Sequence, residues 1–543
     1  MPLAAKHGMV VSVHELASRA GVEILQKGGN AVDAAVAVAL VLAVVWPEAG
    51  NLGGGGFMLI RKADGTEEAI DYRERAPLAA TRDMYLDSKG NVIEDLSTLG
   101  HKAVAVPGTI AGLALALKRH GKLSWSELVE PAKKLAEEGF VLTPMNVKRI
   151  KMYQKTPSTN SESKRIFLKN GKFYEAGERL IQPELAETLK RIQQQGPREF
   201  YEGRTAELIV TDMKQNGGLI TSKDLKEYEP TIRKPIHGKY RGFDIITMPP
   251  PSSGGIALIE MLNLLEPISL GTFGFQSADH IHAMIEAMKR AFADRANLLG
   301  DTDFVKVPVE QLISKEYASK QKINMQKAVP SVEIQPSKFE FQESPSTTHF
   351  SIIDSEGNIV SNTYTLNDSF GSGVTVPKAG FLLNDEMDDF TSKPGATNLY
   401  GLLQSEKNAI QPRKRPLSSM TPVIVMKDGK PFLVLGGPGG PVIITSVLQT
   451  MINVIDFHMD IQQGIDTPRF HHQWIPDEIY SEAFGMNQDT RKILESRGQK
   501  FAKKHFFKET DQLGDIQGIL IDPETGIFFG ASDPRRGGTP FGY

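Results

Sequence analysis

Two short alternating runs, residues 347–354 and 359–365, flank Ser355-Glu356-Gly357-Asn358 in the stretch TTHFSIIDSEGNIVSNTYTLN. Successive strand side chains point to opposite faces, so period-two alternation with Gly and Asn between the runs predicts a β-hairpin. Folding about a four-residue turn brings Thr365 opposite Thr348, next to Thr347. The hairpin then gathers hydroxyls and an amide at one end: Thr347, Thr348, Thr363, Thr365 and Asn367. Thr is also simply a good strand residue, so the hairpin alone leaves this cluster open between a structural and a chemical meaning.

The preceding segment adds weight to the chemical one. Residues 327–346 carry Pro330, Pro336 and Pro345 without clear periodicity, which is linker composition. A linker running into a strand that opens on a Thr pair is what a self-cleaving precursor needs. Cleavage between Ser346 and Thr347 frees an α-amine on the residue that bears the hydroxyl. Such an amine has an ordinary pKa of about 8, so near neutral pH it serves as base for its own side chain.

Elsewhere the residues allow more than one reading. The NLGGGG run at 51–56 lacks both GxGxxG and GxxxxGK[ST], so a tight helix-to-strand turn is favoured over a phosphate cradle. In DYRERAP, Arg73 and Arg75 flank Glu74, either as a solvated charge cluster or as a guanidinium fork for a carboxylate. FLLNDEMDDF ends an apolar strand in four acids. A divalent metal is one use for them, but no His or further Asp follows at ligand spacing, and a solvated turn is the alternative. Ser252-Ser253, after three prolines, reads as loop structure near the site at best, with no GxSxG elbow. Consecutive glycines in GGPGG (436–440) let adjacent amides point at one spot. PRFHHQW reads as structural.

Composition excludes several classes. A net charge of -3 gives no reason to expect nucleic acid or an acidic membrane as partner. The chain has 0 Cys, so disulfides, thiolate catalysis and Cys-based zinc sites are ruled out. Residues 1–10 show no signal peptide. The most apolar run, 31–45, is too short for a membrane span, which takes about 20 residues, and reads as a buried helix. At 543 residues the length prior suggests three or four domains, though one large core or two interlocked subunits fit it too.

TTHFSIID, TYTLN, LLNDEMDDF, KRPLSSM and GGPGG, in this order and spacing, resemble the γ-glutamyltranspeptidases (glutathione hydrolases) of the N-terminal-nucleophile hydrolase superfamily, from about Gly8 to Tyr543. The resemblance implies an α+β fold, a four-layer αββα sandwich with helices outside two packed sheets, which the mixed pattern allows. It implies a large subunit, 1–346, and a small catalytic subunit, 347–543, forming one interlocked fold. It makes Thr347 the nucleophile, with Thr365 steadying its hydroxyl and the amides of Gly439 and Gly440 stabilising the oxyanion. It assigns the α-carboxylate of the γ-glutamyl group to Arg73, Ser418 and Ser419, and the α-amino group to Asn367, Glu386 and Asp389. Tyr400, in a loop-like stretch at 391–413, is the candidate lid.

The same resemblance implies small γ-glutamyl substrates, amino acid or peptide acceptors, no cofactor or metal, and a periplasmic or secreted location. It breaks at Pro441-Val442, where bacterial relatives often have polar residues, which puts neighbouring specificity contacts in doubt. An acylase acting on glutaryl or cephalosporin-type amides, and an uncleaved protein that captures γ-glutamyl peptides, are the rival readings.

Overall fold

A computed structural model describes residues 1–152, 160–334, 347–393, 395, 397–507 and 510–543. The expected cleavage partner Ser346 and most of the Pro-rich linker lie outside the described residues.

Two seven-stranded antiparallel sheets face each other. One runs in the order Thr539–Gly542, Met9–Ser12, Thr348–Ile353, Ile359–Thr365, Gly55–Arg61, Glu67–Asp71, Thr231–Arg233. The other runs Leu3–Ala5, Phe528–Ser532, Gln517–Ile521, Lys430–Leu435, Val423–Lys427, Phe243–Thr247, Ile236–Tyr240. The predicted hairpin therefore occupies the two strands next to and at the centre of its sheet, paired on both sides.

The layers follow from the pleat. Even-numbered Phe350, Ile352, Val360 and Tyr364 turn toward the Ala31–Val45 helix and share its apolar cluster. Odd-numbered Ile353 and Ile359 turn the other way and pack with Ile424, Val434 and Ile519 of the opposite sheet. Helices Gly254–Leu265, Ala278–Leu298 and Val442–Ile455 cover the outer face of that second sheet through Val423, Val425, Leu433 and Leu435. The result is the four-layer αββα sandwich. The Ala31–Val45 helix is buried along its whole length, and Asn30 with Asp33 closes its N-terminus as a capping box. Among the described residues no helix is long and apolar enough to cross a membrane.

The hairpin register differs from expectation by one residue. Thr348 lies opposite Tyr364, not Thr365. The turn is one residue shorter than its composition suggests, because the Asp354 amide already bonds to the Asn358 carbonyl at 3.1 Å. Ser355, Glu356 and Gly357 make the loop, Gly357 sits at φ +87°, and the Asp354 carboxylate accepts the amides of Glu356 and Asn358 at 3.0 and 2.9 Å. A three-residue loop with Gly in the left-handed region is the next commonest hairpin after the two-residue form. The slip matters: it sets Thr347, not Thr348, across from Thr365.

Candidate active site

Because the register places odd residues between the sheets, the hairpin carries a polar stripe into the sandwich. Ser351, His349 and Thr347 lie along one strand; Ser361, Thr363 and Thr365 lie along the other. His349 is buried, and its ring nitrogens bond Thr363 Oγ1 at 2.8 Å and Ser351 Oγ at 3.0 Å. Burial draws it down to about 3, so it is a neutral spacer at physiological pH. A Cβ at Gly436 would collide with that ring. At the open end of the stripe, Thr347 Oγ1 and Thr365 Oγ1 stand 3.2 Å apart. The Asn367 amide donates to Thr365 Oγ1 at 2.8 Å, and Arg536 donates to the Thr347 carbonyl at 3.3 Å. The Gly-rich turn at 53–56 serves close approach: side chains at Gly54 and Gly56 would strike the carbonyls of Thr365 and Thr363.

One cavity is lined by Arg73, Thr347, Thr365, Asn367, Glu386, Asp389, Tyr400, Ser418, Ser419 and Gly440, with Met420 and Ile443. Every residue expected at the site is there except Gly439, which stands one residue back in the same loop. Gly439 and Gly440 have φ of +133° and +54°, and among the described residues neither amide has a hydrogen-bond acceptor. Both precede the Val442–Ile455 helix, whose positive N-terminal end faces the same place. Pro441 is the residue before that helix, and Val442 packs against Phe506, Phe507 and Leu513, so neither lines the cavity.

The charged residues are not solvated. Arg73 and Glu74 are buried at the end of the Glu67–Asp71 strand, and Glu386 and Asp389 are buried on a turn of 3-10 helix. The Arg73 fork reaches Glu386 Oε1 with one nitrogen and Asp389 Oδ2 with the other at 2.5 Å, while Glu74 lies 3.6 Å away. Burial pushes the Glu386 carboxyl well above the usual range against the pull of Arg73, and lifts Glu74 to about 7. The other two acids of the run look elsewhere. Asp385 accepts the Asp368 amide at 2.9 Å; Asp388 accepts Ser97 Oγ and the Leu399 amide, both at 2.7 Å. Arg75 leaves the site altogether and stacks over the Tyr228 ring at 5.3 Å.

Tyr400 closes one side. Its hydroxyl donates toward the Asn367 carbonyl and Oδ1, both at 2.8 Å, and its ring covers Gly440, where an added Cβ would lie 2.5 Å from it. The loop that carries it is tied down by Asn398 to Asp389 at 3.0 Å and by Gln473 to the Tyr400 carbonyl at 3.2 Å.

A family model described as gamma-glutamyltranspeptidase matches residues 17–543. The chain belongs to the γ-glutamyltranspeptidase family. It is 50% identical to the glutathione hydrolase proenzyme of Escherichia coli K12 over 98% of this chain and 91% of that protein. Among solved structures it is similar to a cephalosporin acylase from Bacillus halodurans, with TM-score 0.85 and 29% identity over 100% of this chain and 97% of the other. It is also similar to the γ-glutamyltranspeptidase of Helicobacter pylori, with TM-score 0.59 and 47% identity over 60% of this chain and 93% of that chain.

For a γ-glutamyltranspeptidase, two features of this site escaped the sequence. Arg536, in the tail ASDPRRGGTPFGY, reaches the Thr347 carbonyl because the Thr539–Gly542 strand closes the hairpin's own sheet. Arg295 reaches Ser419, 124 residues away in sequence, from the last turn of the Ala278–Leu298 helix. Its burial, shared with Glu286, Lys289 and Arg290 of the same helix, is invisible until the helix is placed.

Proposed function

We propose that the chain is a γ-glutamyltransferase and glutathione hydrolase whose Thr347, freed by self-cleavage, attacks the γ-glutamyl amide. The observation that carries this is the pairing inside the cavity, where one buried guanidinium meets two buried carboxylates beside the Thr347–Thr365 hydroxyl pair. A γ-glutamyl group ends in a zwitterion. Its carboxylate replaces Glu386 and Asp389 on Arg73 and takes the hydroxyls of Ser418 and Ser419, while its ammonium sits on Glu386, Asp389 and Asn367. Charge balance is kept, so desolvating the zwitterion is offset at both ends. Only a γ link leaves both groups free, which sets selectivity against α-linked glutamyl.

Cleavage divides the chain into subunits 1–346 and 347–543, which stay interlocked because both sheets take strands from both. The N-terminal amine takes the proton of Thr347 Oγ as the oxygen attacks, with Thr365 holding that oxygen in place. The Gly439 and Gly440 amides receive the oxyanion, and the amine then protonates the departing nitrogen. A γ-glutamyl ester on Thr347 remains, resolved by water or by an acceptor amine, with ping-pong kinetics. Tyr400 excludes water from the ester and favours the amine. The compartment proposed is the periplasm or the exterior, on family grounds.

The acylase reading has relatives in its favour, but a glutaryl group offers no ammonium to two buried acids. Comparing γ-glutamyl with glutaryl p-nitroanilide tests it: a preference of at least about 100-fold in kcat/KM for γ-glutamyl is expected, since unpaired buried polar groups reject analogues that strongly. Equal turnover would overturn the substrate assignment.

Gly440→Ala gives a separate expectation. A side chain there strains the backbone at φ +54° and pushes on the Tyr400 ring. Displacing one oxyanion donor lowers kcat by about 10²–10³-fold, with KM nearly unchanged. Steady-state kinetics on a γ-glutamyl anilide check this.

A further inference from the structure

Arg295 is buried in the Ala278–Leu298 helix at 2% exposure, yet among the described residues no carboxylate lies within ion-pair distance of it. Its Nε donates to Ser253 Oγ at 2.9 Å and one terminal nitrogen donates to Ser419 Oγ at 3.3 Å. The other terminal nitrogen is buried with no hydrogen-bond partner. Burial draws the guanidinium down to about 10, so it remains charged at neutral pH. A buried cation with no anion beside it is expensive to keep. Of the groups it touches, Ser419 lines the cavity and Ser253 bonds the backbone of its neighbour Ser418, which lines it too.

The hydrogen-bond polarity there runs one way. An arginine only donates, so the hydroxyl oxygens facing it must accept. Ser253, having accepted from Arg295, spends its own proton on the Ser418 carbonyl at 2.6 Å. Ser419 accepts from Arg295 likewise, and its proton has the cavity to point into. Ser418 Oγ accepts the Met420 amide at 3.2 Å, which turns its proton the same way. The Pro251-Ser252-Ser253 loop is what fixes this arrangement. It pairs with Ser418 through the Ser418 amide to the Pro251 carbonyl at 2.9 Å and the Ser253 amide to the Ser418 carbonyl at 2.7 Å. Asp389 and Arg73 are the other charged groups whose fields reach Arg295.

We propose that Arg295 is a positioning residue for specificity: it makes Ser419 a donor toward the cavity and supplies the charge that a substrate α-carboxylate neutralises. This rests on the reading that Ser418 and Ser419 meet that carboxylate. It also gives the Ser252-Ser253 motif a purpose, as the relay that holds the guanidinium beneath the serines.

The test is a double-mutant cycle of Arg295→Gln and Ser419→Ala, run on L-γ-glutamyl-p-nitroanilide and on 4-aminobutyryl-p-nitroanilide, which lacks the α-carboxylate. Arg295→Gln is expected to raise KM for the first substrate by about 10- to 100-fold, the range of a charge-assisted hydrogen bond, with kcat within about 3-fold. It leaves kcat/KM for the carboxylate-free substrate unchanged, and in the Ser419→Ala background its effect shrinks because the two act as a unit. Arg295→Lys keeps the charge and restores part of the KM; it also serves if the Gln protein fails to fold or to split into two chains. Equal losses on both substrates, or full additivity with Ser419→Ala, overturn the proposal. No effect of Ser419→Ala on the carboxylate-bearing substrate would instead overturn the reading beneath it.

Discussion

Thr347→Ala protein is expected to run as one full-length band on a denaturing gel after long incubation, and to show no γ-glutamyl transfer or hydrolysis. Both losses come from one oxygen. On the proposed mechanism the Thr347 hydroxyl attacks the carbonyl before it in the precursor, and the same hydroxyl attacks substrate in the mature chain. Removing a nucleophile costs on the order of 10⁶ in kcat in a well-studied protease, where the remaining site still binds substrate. The fold should survive: Thr347 sits at the end of its strand, and the ladder from Thr348 to Ile353 does not need its side chain. Thr347→Ser separates the requirements, because it keeps the oxygen and loses only a methyl group; it should still split, and N-terminal sequencing of the smaller fragment should begin at residue 347. Two-chain processing in Thr347→Ala protein would exclude Thr347 as the nucleophile.

Much of this site is legible in the sequence because its parts are local. Period-two alternation marks the hairpin strands, and the apolar run at 31–45 is the buried helix Ala31–Val45. The hairpin register was misread because turn length depends on whether Asp354 pairs with Asn358, a choice made by the carboxylate's own bonds to the turn amides. Composition likewise could not tell a solvated charge cluster from a buried one. Arg73 and Glu74 are buried because the 3-10 turn at Glu386–Asp389 is folded onto them, a contact across 313 residues. Short edge strands such as Thr231–Arg233 and Leu3–Ala5 carry too few residues for a pattern, and exist through the partners they pair with.

That buried charge cluster makes Arg73 the second residue whose loss should be severe. Arg73→Gln removes the one cation, among the described residues, that bonds Glu386 and Asp389; it also lies 3.6 Å from Glu74. The substrate carboxylate loses its fork, and breaking a buried ion pair on one side costs about 3–5 kcal/mol, or roughly 10²–10⁴-fold in kcat/KM, carried mainly by KM. Stability should change with a definite sign as well. Glu74 already titrates near 7 and Glu386 well above the usual range in the folded chain, both through burial, with Arg73 the largest influence holding them down. Without Arg73 both rise further. The folded state then binds more protons than the unfolded one from the ordinary glutamate value of about 4.3 upward, so stability is greatest below that pH and falls as pH rises through 7 and beyond. Melting Arg73→Gln and the parent protein at pH 5 and pH 8 reads this directly: the deficit of the variant should widen at the higher pH. An equal deficit at both would mean that Arg73 does not carry the charge balance of these acids, and the zwitterion site built on it would fail with that result.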